Sequence, residues 1–332
     1  MKAYTIQDVA RRAGVSVATV SRVINRSGPV KQQTRTKVER IIEEMEYQPN
    51  MLGRNLRQNR SGRILVLLPM FGAFYSMVNW GIQDFAHEQG YQVLVAQTYT
   101  EQGVVTGYMD MLSQHFVDGL ICFDQRVPFE ELEKLSARYP VAVNRVTPEG
   151  SNVPFASIDE YNSACVAVRH LISIGRKKIA IINRSVQFHF AHIRLDAYLD
   201  TLEAEGLEIR PEWQRTVVTA DNDGMPCCRE LLRIENRPDA IFATSDKLAA
   251  DAIRAARELN IRVPEDLAVI GFDGDPLAQI YTPSISTIVQ PQYQMGKQVC
   301  NILIDRIRGE ITTSHRAMLD TELIVRNSTL ST

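Results

Sequence analysis

Apolar positions in the first 46 residues recur at helical spacing, whereas from Arg63 onward they gather into short continuous runs. Ile6, Val9, Ala10 and Ala13 share one helical face. Thr5 precedes them as a cap, and Asp8 three residues on completes a variant of the capping box. Gly14 stops the helix, because glycine takes left-handed backbone angles cheaply. Ser16 then caps a second helix that turns Val20, Val23 and Ile24 inward and leaves Val17, Ala18, Ser21 and Arg22 outward. A third helix over 34–46 closes this small core with Val38, Ile41, Ile42 and Met45. The pattern is a helix-turn-helix whose second helix has an outer face small and polar enough to enter a major groove.

The later runs, at 64–68, 92–96, 119–123 and 141–143, are apolar throughout, as strands covered on both faces are. Helical patterns at 77–89, 105–115 and 130–138 separate them, and the rhythm restarts with runs at 178–182, 216–218, 240–243 and 267–270. This alternation, made twice, predicts two doubly wound parallel sheets. Ligands of such sheets sit outside the carboxyl ends of the strands, so the residues just after each run become pocket candidates. Between head and body, Pro49 disfavours helix at Gln48 and Asn50 caps a new helix too short to hold alone in water. Residues 58–62 read as a linker.

Charge sharpens this division. The 332 residues carry a net charge of -2, yet residues 1–63 hold 13 Lys and Arg against 5 Asp and Glu, and the remainder 24 against 34. A basic head on an acidic body confines phosphate affinity to one end, which makes duplex DNA the expected partner. No apolar signal segment or membrane-length span is present, and the five cysteines (Cys122, Cys165, Cys227, Cys228 and Cys300) lack CxxC spacing. A cytoplasmic, reduced chain with no membrane partner is expected. An enzyme on the same fold is the rival class, but no GxGxxG follows a strand and neither GxxxxGK[ST] nor HExxH occurs. His189 and His192, three apart, are more often incidental than metal ligands. Neither catalytic residues nor a cofactor or metal are expected.

Several motifs then converge. The helix-turn-helix block, Tyr47-x-Pro49-Asn50 with Arg54 and Leu56, Val117-Asp118-Gly119, Ile193-Arg194-Leu195 and Thr244-Ser245-Asp246 are joined by Arg262-Val263-Pro264-Glu265-Asp266-Leu267, Gly271-Phe272-Asp273 and Thr282-Pro283. Together, over nearly the whole chain, they resemble the LacI/GalR transcriptional repressors. The resemblance implies an all-α helix-turn-helix head at 1–47, a hinge helix and linker at 48–61, and an α/β body. The body's two doubly wound parallel-sheet subdomains, of periplasmic-binding-protein type, would take 62–158 with 290–318 and 159–289 with 319–332. It further implies a homodimer on a pseudo-palindromic double-stranded operator. Val17, Ala18 and Arg22 would read bases, Ser16, Ser21, Asn25 and Thr34 would hold phosphates, and Leu56 would wedge into the minor groove.

Carried onto the cleft between the subdomains, the resemblance implies a small effector held by Phe74, Asn144, Arg194, Asn222, Ser245, Asp246 and Asp273. This set suits a polyhydroxylated ligand, with Phe74 offering a sugar ring an apolar face. The residues alone leave alternatives open: Asp246 as the cap of a helix starting near Lys247, Arg194 as a satisfied surface arginine, Phe74 as core. A sugar or sugar phosphate is expected first and a nucleoside or purine second; phosphate would want more cations than Arg194 alone, which tilts the choice toward an uncharged sugar, and a protein co-regulator remains a third means of control. Asn144 stands where the family often has aspartate, Asn222 where an aromatic is common, Gly274 for a second aspartate and Gly53 for a hinge alanine. The effector is expected to shift a two-state dimer, with induction and co-repression both open. A last strand at 319–325 with no leucine heptad after it favours a dimer over a tetramer.

Overall fold

The computed structural model describes residues 4–24, 27–47, 60–98, 103–185, 188–218, 223–310 and 315–330. Asn25, Gly53, Leu56 and Asn222 fall outside them. The chain divides into two compact units, 1–61 and 62–332.

The head contains α1 (Ile6–Ala13), α2 (Val17–Ile24) and α3 (Gln32–Glu44). The capping box forms: Asp8 N donates to Thr5 Oγ1 at 3.3 Å, and Thr5 N donates to the Asp8 carboxylate at 3.0 Å. Gly14 ends α1 with φ 66 and ψ 35, the left-handed region glycine reaches without strain. Val9, Ala13, Val20 and Val38 are wholly buried between the three helices, and Ile41, Met45 and Tyr47 close the core.

The body's first sheet takes β1 (Arg63–Leu68), β2 (Gln92–Gln97), β3 (Gly119–Cys122), β4 (Val141–Val143) and β5 (Phe155–Ile158), linked by α4 (Ala73–Glu88), α5 (Gly103–Ser113) and α6 (Phe129–Ser136). After α7 (Glu160–Ser173) comes a second sheet of β6 (Ile179–Arg184), β7 (Gln214–Val217), β8 (Ala240–Ala243), β9 (Ala268–Asp273) and β10 (Ser286–Val289). Its connections hold α8 (His189–Ala204), α9 (Met225–Arg233), α10 (Asp246–Glu258) and α11 (Pro276–Ile280). Then α12 (Gln292–Arg308) returns to the first sheet, β11 (Arg316–Leu319) pairs with β5, and β12 (Glu322–Ile324) pairs with β10.

Strand order is β11-β5-β4-β3-β1-β2 in one sheet and β12-β10-β9-β8-β6-β7 in the other. Successive side chains alternate faces, so β1 sends Ile64, Val66 and Leu68 to one core and Leu65 and Leu67 to the other. Burial on both faces explains why these strands are apolar throughout. Two expectations need correction. The strand expected at 319–325 forms as the shorter β12, but it runs antiparallel to β10 in a sheet expected to be parallel throughout, because the chain crosses there from the other sheet. Neither sheet has the four strands expected, since β5, β10 and β11 also form; each is four residues long and carries a polar or charged member that breaks the apolar run. Among the described residues no helix is long and apolar enough to cross a membrane.

Both sheets share one topology, in which the chain reverses direction of winding between β1 and β3, and again between β6 and β8. Those reversal points leave a crevice at the carboxyl ends of the strands, where α/β sheets hold ligands.

Candidate nucleic-acid interface and ligand cleft

On the head, α2 presents one face. Its Val20 and Val23 are buried, while Val17, Ala18 and Arg22 are exposed. Thr19 N donates to Ser16 Oγ at 3.1 Å, so Ser16 caps the helix and stays exposed. Ser21 and Thr34 are half-buried. The head's ion pairs join Arg11 to Asp8 and both Arg12 and Arg40 to Glu44; none among the described residues takes Arg22. A charged guanidinium on an exposed helix face, with no carboxylate to satisfy it, keeps its fork of donors for a base edge or phosphate.

In the body, residues just past the strand ends converge on a cavity of about 270 Å³. Phe74, Asn144, Arg194, Ser245 and Asp273 all line it. A second hollow of about 610 Å³ shares Gln125, Glu160 and Phe190 with it as walls. Asp246 does not reach the cavity: it is 1% exposed, behind β9. There its carboxylate accepts from Asp275 N at 2.6 Å and pins the turn after β9. Gly271 makes the room, since a Cβ at that position would overlap the Asp246 carboxylate. Nor does Asp246 cap α10; Ser245 does, accepting from Leu248 N at 3.3 Å. Burial, with Asp273 nearby, pushes the Asp246 carboxyl well above its usual range.

Arg194 is buried rather than a surface residue. It lies 2.7 Å from Glu160, donates Nη1 to the Thr244 carbonyl at 2.7 Å, and sets its guanidinium carbon 3.6 Å from the Phe272 ring centroid and 4.7 Å from that of Phe190. It therefore orders the cleft floor, and its Nη1 sits 3.8 Å from Asp273. Asn144 donates to the Ala156 carbonyl at 2.7 Å, which fixes its amide at the end of β4. Phe74 packs against the cores of both sheets and meets Tyr75 edge to face, so it is core and cavity wall together.

Asp273 holds the most unusual position. Its φ is 106, a backbone state that costs a non-glycine residue energy and is typical of ligand-contacting turns. Gln290 donates to its carboxylate and Gln292 to its carbonyl, each at 2.8 Å. The departure at Gly274 has a steric cause: its φ is 77, and a Cβ would come within 3.0 Å of Val289 Cα. Burial raises the Asp273 carboxyl to about 7, against the lowering influence of Arg194. An acid with a raised folded-state pKa keeps a proton that the unfolded chain has already lost, so this group's contribution to stability falls as pH rises from about 4 to about 7. The stability of wild type relative to Asp273→Asn is expected to decline across that window; a difference independent of pH in denaturant titrations at pH 5 and 7.5 would show that the shift is absent.

Several cavity residues escaped the sequence reading: Gln125, Glu160, Arg184 and Lys247. Arg184 corrects the expectation that Arg194 is the only cation, and it was recoverable, because it ends the apolar run of β6 at the reversal point. Gln125 accepts from Phe190 N at 3.0 Å, joining the loop after β3 to the start of α8 across the cleft.

Comparison with known proteins places these features together. Residues 5–50 match the family described as bacterial regulatory proteins, lacI family, and residues 168–329 match a periplasmic binding protein-like domain. The HTH-type transcriptional repressor CytR of Escherichia coli strain K12 is 33% identical over 330 residues, 98% of this chain and 96% of that one. The ribose operon repressor of Halalkalibacterium halodurans is 34% identical over 329 residues, 98% and 97% of the two chains. A crystal structure of the lac repressor dimer bound to operator and the anti-inducer ONPF superimposes with a TM-score of 0.88 at 25% identity, covering 99% of this chain and 100% of that one.

Proposed function

The chain belongs to the LacI family of bacterial regulatory proteins, DNA-binding transcriptional regulators, and on that premise we propose that it is a repressor whose operator affinity is set by a small sugar-like effector in the body's cleft. One observation carries the reading: strand ends of both sheets line one cavity rich in fixed donors and acceptors, in a chain whose other unit is a helix-turn-helix with an exposed reading face. Asn144, Arg194, Ser245 and Asp273 offer hydrogen bonds to several hydroxyls, and Phe74 an apolar face. A nucleoside is the second reading, favoured by Tyr75 and Phe190, which add two further rings against which a base could stack.

In this reading α2 enters the major groove, Arg22 contacts a base edge, and Ser16, Ser21 and Thr34 position the backbone, with Asn25 also on phosphate and Leu56 in the minor groove. Arg22→Ala is expected to weaken operator binding by about 1–3 kcal/mol and to relax the preference at one base pair. Binding of the full chain to variant operators at fixed salt measures this; an unchanged affinity and an unchanged preference would remove Arg22 from base reading.

The effector acts only through its unequal affinity for two arrangements of the body. A pseudo-palindromic operator calls for two heads, so the active species is a homodimer. Exposed apolar side chains are available for a partner copy to cover, among them Val218 at 77% and Ile280 at 78%. Sedimentation at micromolar concentration is expected to give about twice the 37.5 kDa chain mass, and a single-chain mass for operator-bound protein would contradict the pairing.

A further inference from the structure

Among the described residues, Arg184 is a cleft cation that no carboxylate meets in an ion pair. Arg184 is the last residue of β6. Its neighbour Asn183 accepts from Thr244 Oγ1 at 3.0 Å, tying the ends of β6 and β8 together, so Arg184 rises from the reversal point beside Ser245. The guanidinium is half-buried and lines the 270 Å³ cavity. Among the described residues its one hydrogen bond runs from Nη2 to the Met70 sulfur at 3.6 Å, from the end of one sheet to that of the other. Its carbon also lies 5.5 Å from the Phe188 ring centroid.

The cavity's other charges are accounted for differently; the Asp273 carboxylate accepts from Gln290 at 2.8 Å and lies 3.8 Å from Arg194, and it pulls on Arg184 only at longer range. Arg194 has Glu160, and Lys247 has Asp251 at 2.6 Å. The Asp275 carboxylate caps α11, accepting from Leu277 N at 2.8 Å. Two nearby arginines are also satisfied: Arg126 grips Asp124 with Nε at 2.9 Å, and Arg145 donates to the carbonyls of Gln125 and Val127. No ion pair among the described residues includes Arg184. A thioether is a weak acceptor, and with only that hydrogen bond and a ring contact the half-buried guanidinium bears a desolvation cost that the Asp273 charge offsets only in part. Burial accordingly weakens its hold on its proton.

We infer that the effector bears an anionic group, phosphate or carboxylate, and that Arg184 receives it as the specificity-determining residue of the cleft; this rests on the cleft being the effector site. An anion offers the paired oxygens that a guanidinium fork binds bidentately, whereas a neutral hydroxyl fills one donor and leaves the charge unbalanced. Arg194, already committed to Glu160 and Thr244, orders the sugar end while Arg184 selects the charged end. The start of α10 lies on the same side, where Ser245 and Lys247 line the cavity.

The test titrates the full chain with matched sugars: glucose, glucose 6-phosphate and glucuronate, and ribose with ribose 5-phosphate. Calorimetry reads binding, and operator affinity is measured in parallel. An anionic member is expected to bind about tenfold to a hundredfold tighter than its neutral parent. Arg184→Met removes that preference, Arg184→Lys restores part of it, and fluorescence of Trp80 and Trp213 verifies that each variant is folded. The phosphate and carboxylate arms identify which anion is meant. A neutral parent bound as tightly as its anionic partners, or a preference that survives Arg184→Met, overturns the inference and leaves the effector reading standing. Operator binding that no sugar of either class alters overturns that reading, and the inference with it.

Discussion

Gly296→Ala is expected to destabilise the body by about 2 kcal/mol, although alanine is the better helix former. Gly296 on α12 and Gly81 on α4 face each other where the two helices cross. A Cβ at Gly296 would overlap the Val78 carbonyl, whose carbon lies 2.9 Å away, and one at Gly81 would overlap the Tyr293 carbonyl. Both obstacles are backbone, so no rotamer relieves them and the helices must part. Parting them opens the core around Val78, Ile82, Val299 and Ile302. Glycine-to-alanine gains about 1 kcal/mol of helix propensity, while overpacking of a close-packed interior costs about 1–3 kcal/mol even where side chains can adjust. The clash wins. Both tryptophans, Trp80 and Trp213, lie in the body, so their fluorescence during urea unfolding reports this unit without the head. A Gly296→Ala midpoint at or above wild type would mean that the helices do not approach so closely.

Arg194→Met is expected to cost about 3–5 kcal/mol, because removing one partner of a buried pair strands the other. Glu160 would lose its counter-charge and the Thr244 carbonyl its donor. Burial already raises the Glu160 carboxyl against the opposing pull of Arg194, so without the arginine it takes up a proton more readily still. Protonation removes the stranded charge; the loss is therefore smaller at pH 5 and grows as pH rises toward 8. Adding Glu160→Leu to Arg194→Met should recover much of the deficit at pH 8, since an apolar pair leaves no buried charge. An equal loss at both pH values, with none recovered in the double variant, would show that the pair does not hold the cleft floor.

Much of this was legible along the chain, for reasons that differ by element. The head could be read because each of its devices is local: Thr5 with Asp8 is a cap within one turn, Gly14 a stop, and Val20 and Val23 fall on one face of a single helix. The strands β1, β3, β6 and β8 could be read because burial on both faces demands unbroken apolar runs. β10 could not. Its Ser286 and Thr287 are wholly buried, and Ser286 is satisfied by Ser328 and Arg326, some forty residues away, so its polarity mimics a loop until the chain's end folds back. Position in the cleft was legible where a motif carried it, as at Arg194 and Asp273, whereas Arg184 was missed although it closes an apolar run at a reversal point. What the motif misplaced was Asp246: burial behind β9 depends on the absence of a side chain at Gly271, a relation between two segments rather than a pattern within one.

The direct test couples the two units in one measurement. A sugar that raises the melting temperature of the full chain is titrated against the complex with DNA from upstream of its own gene, followed by anisotropy between 50 and 200 mM salt. The account predicts affinity that falls steeply with salt, as expected when a basic head releases counterions, and that shifts by fivefold or more at every salt concentration once the sugar is bound. A sugar that protects the body against heat yet leaves DNA affinity unchanged throughout, or DNA binding indifferent to salt, would contradict it.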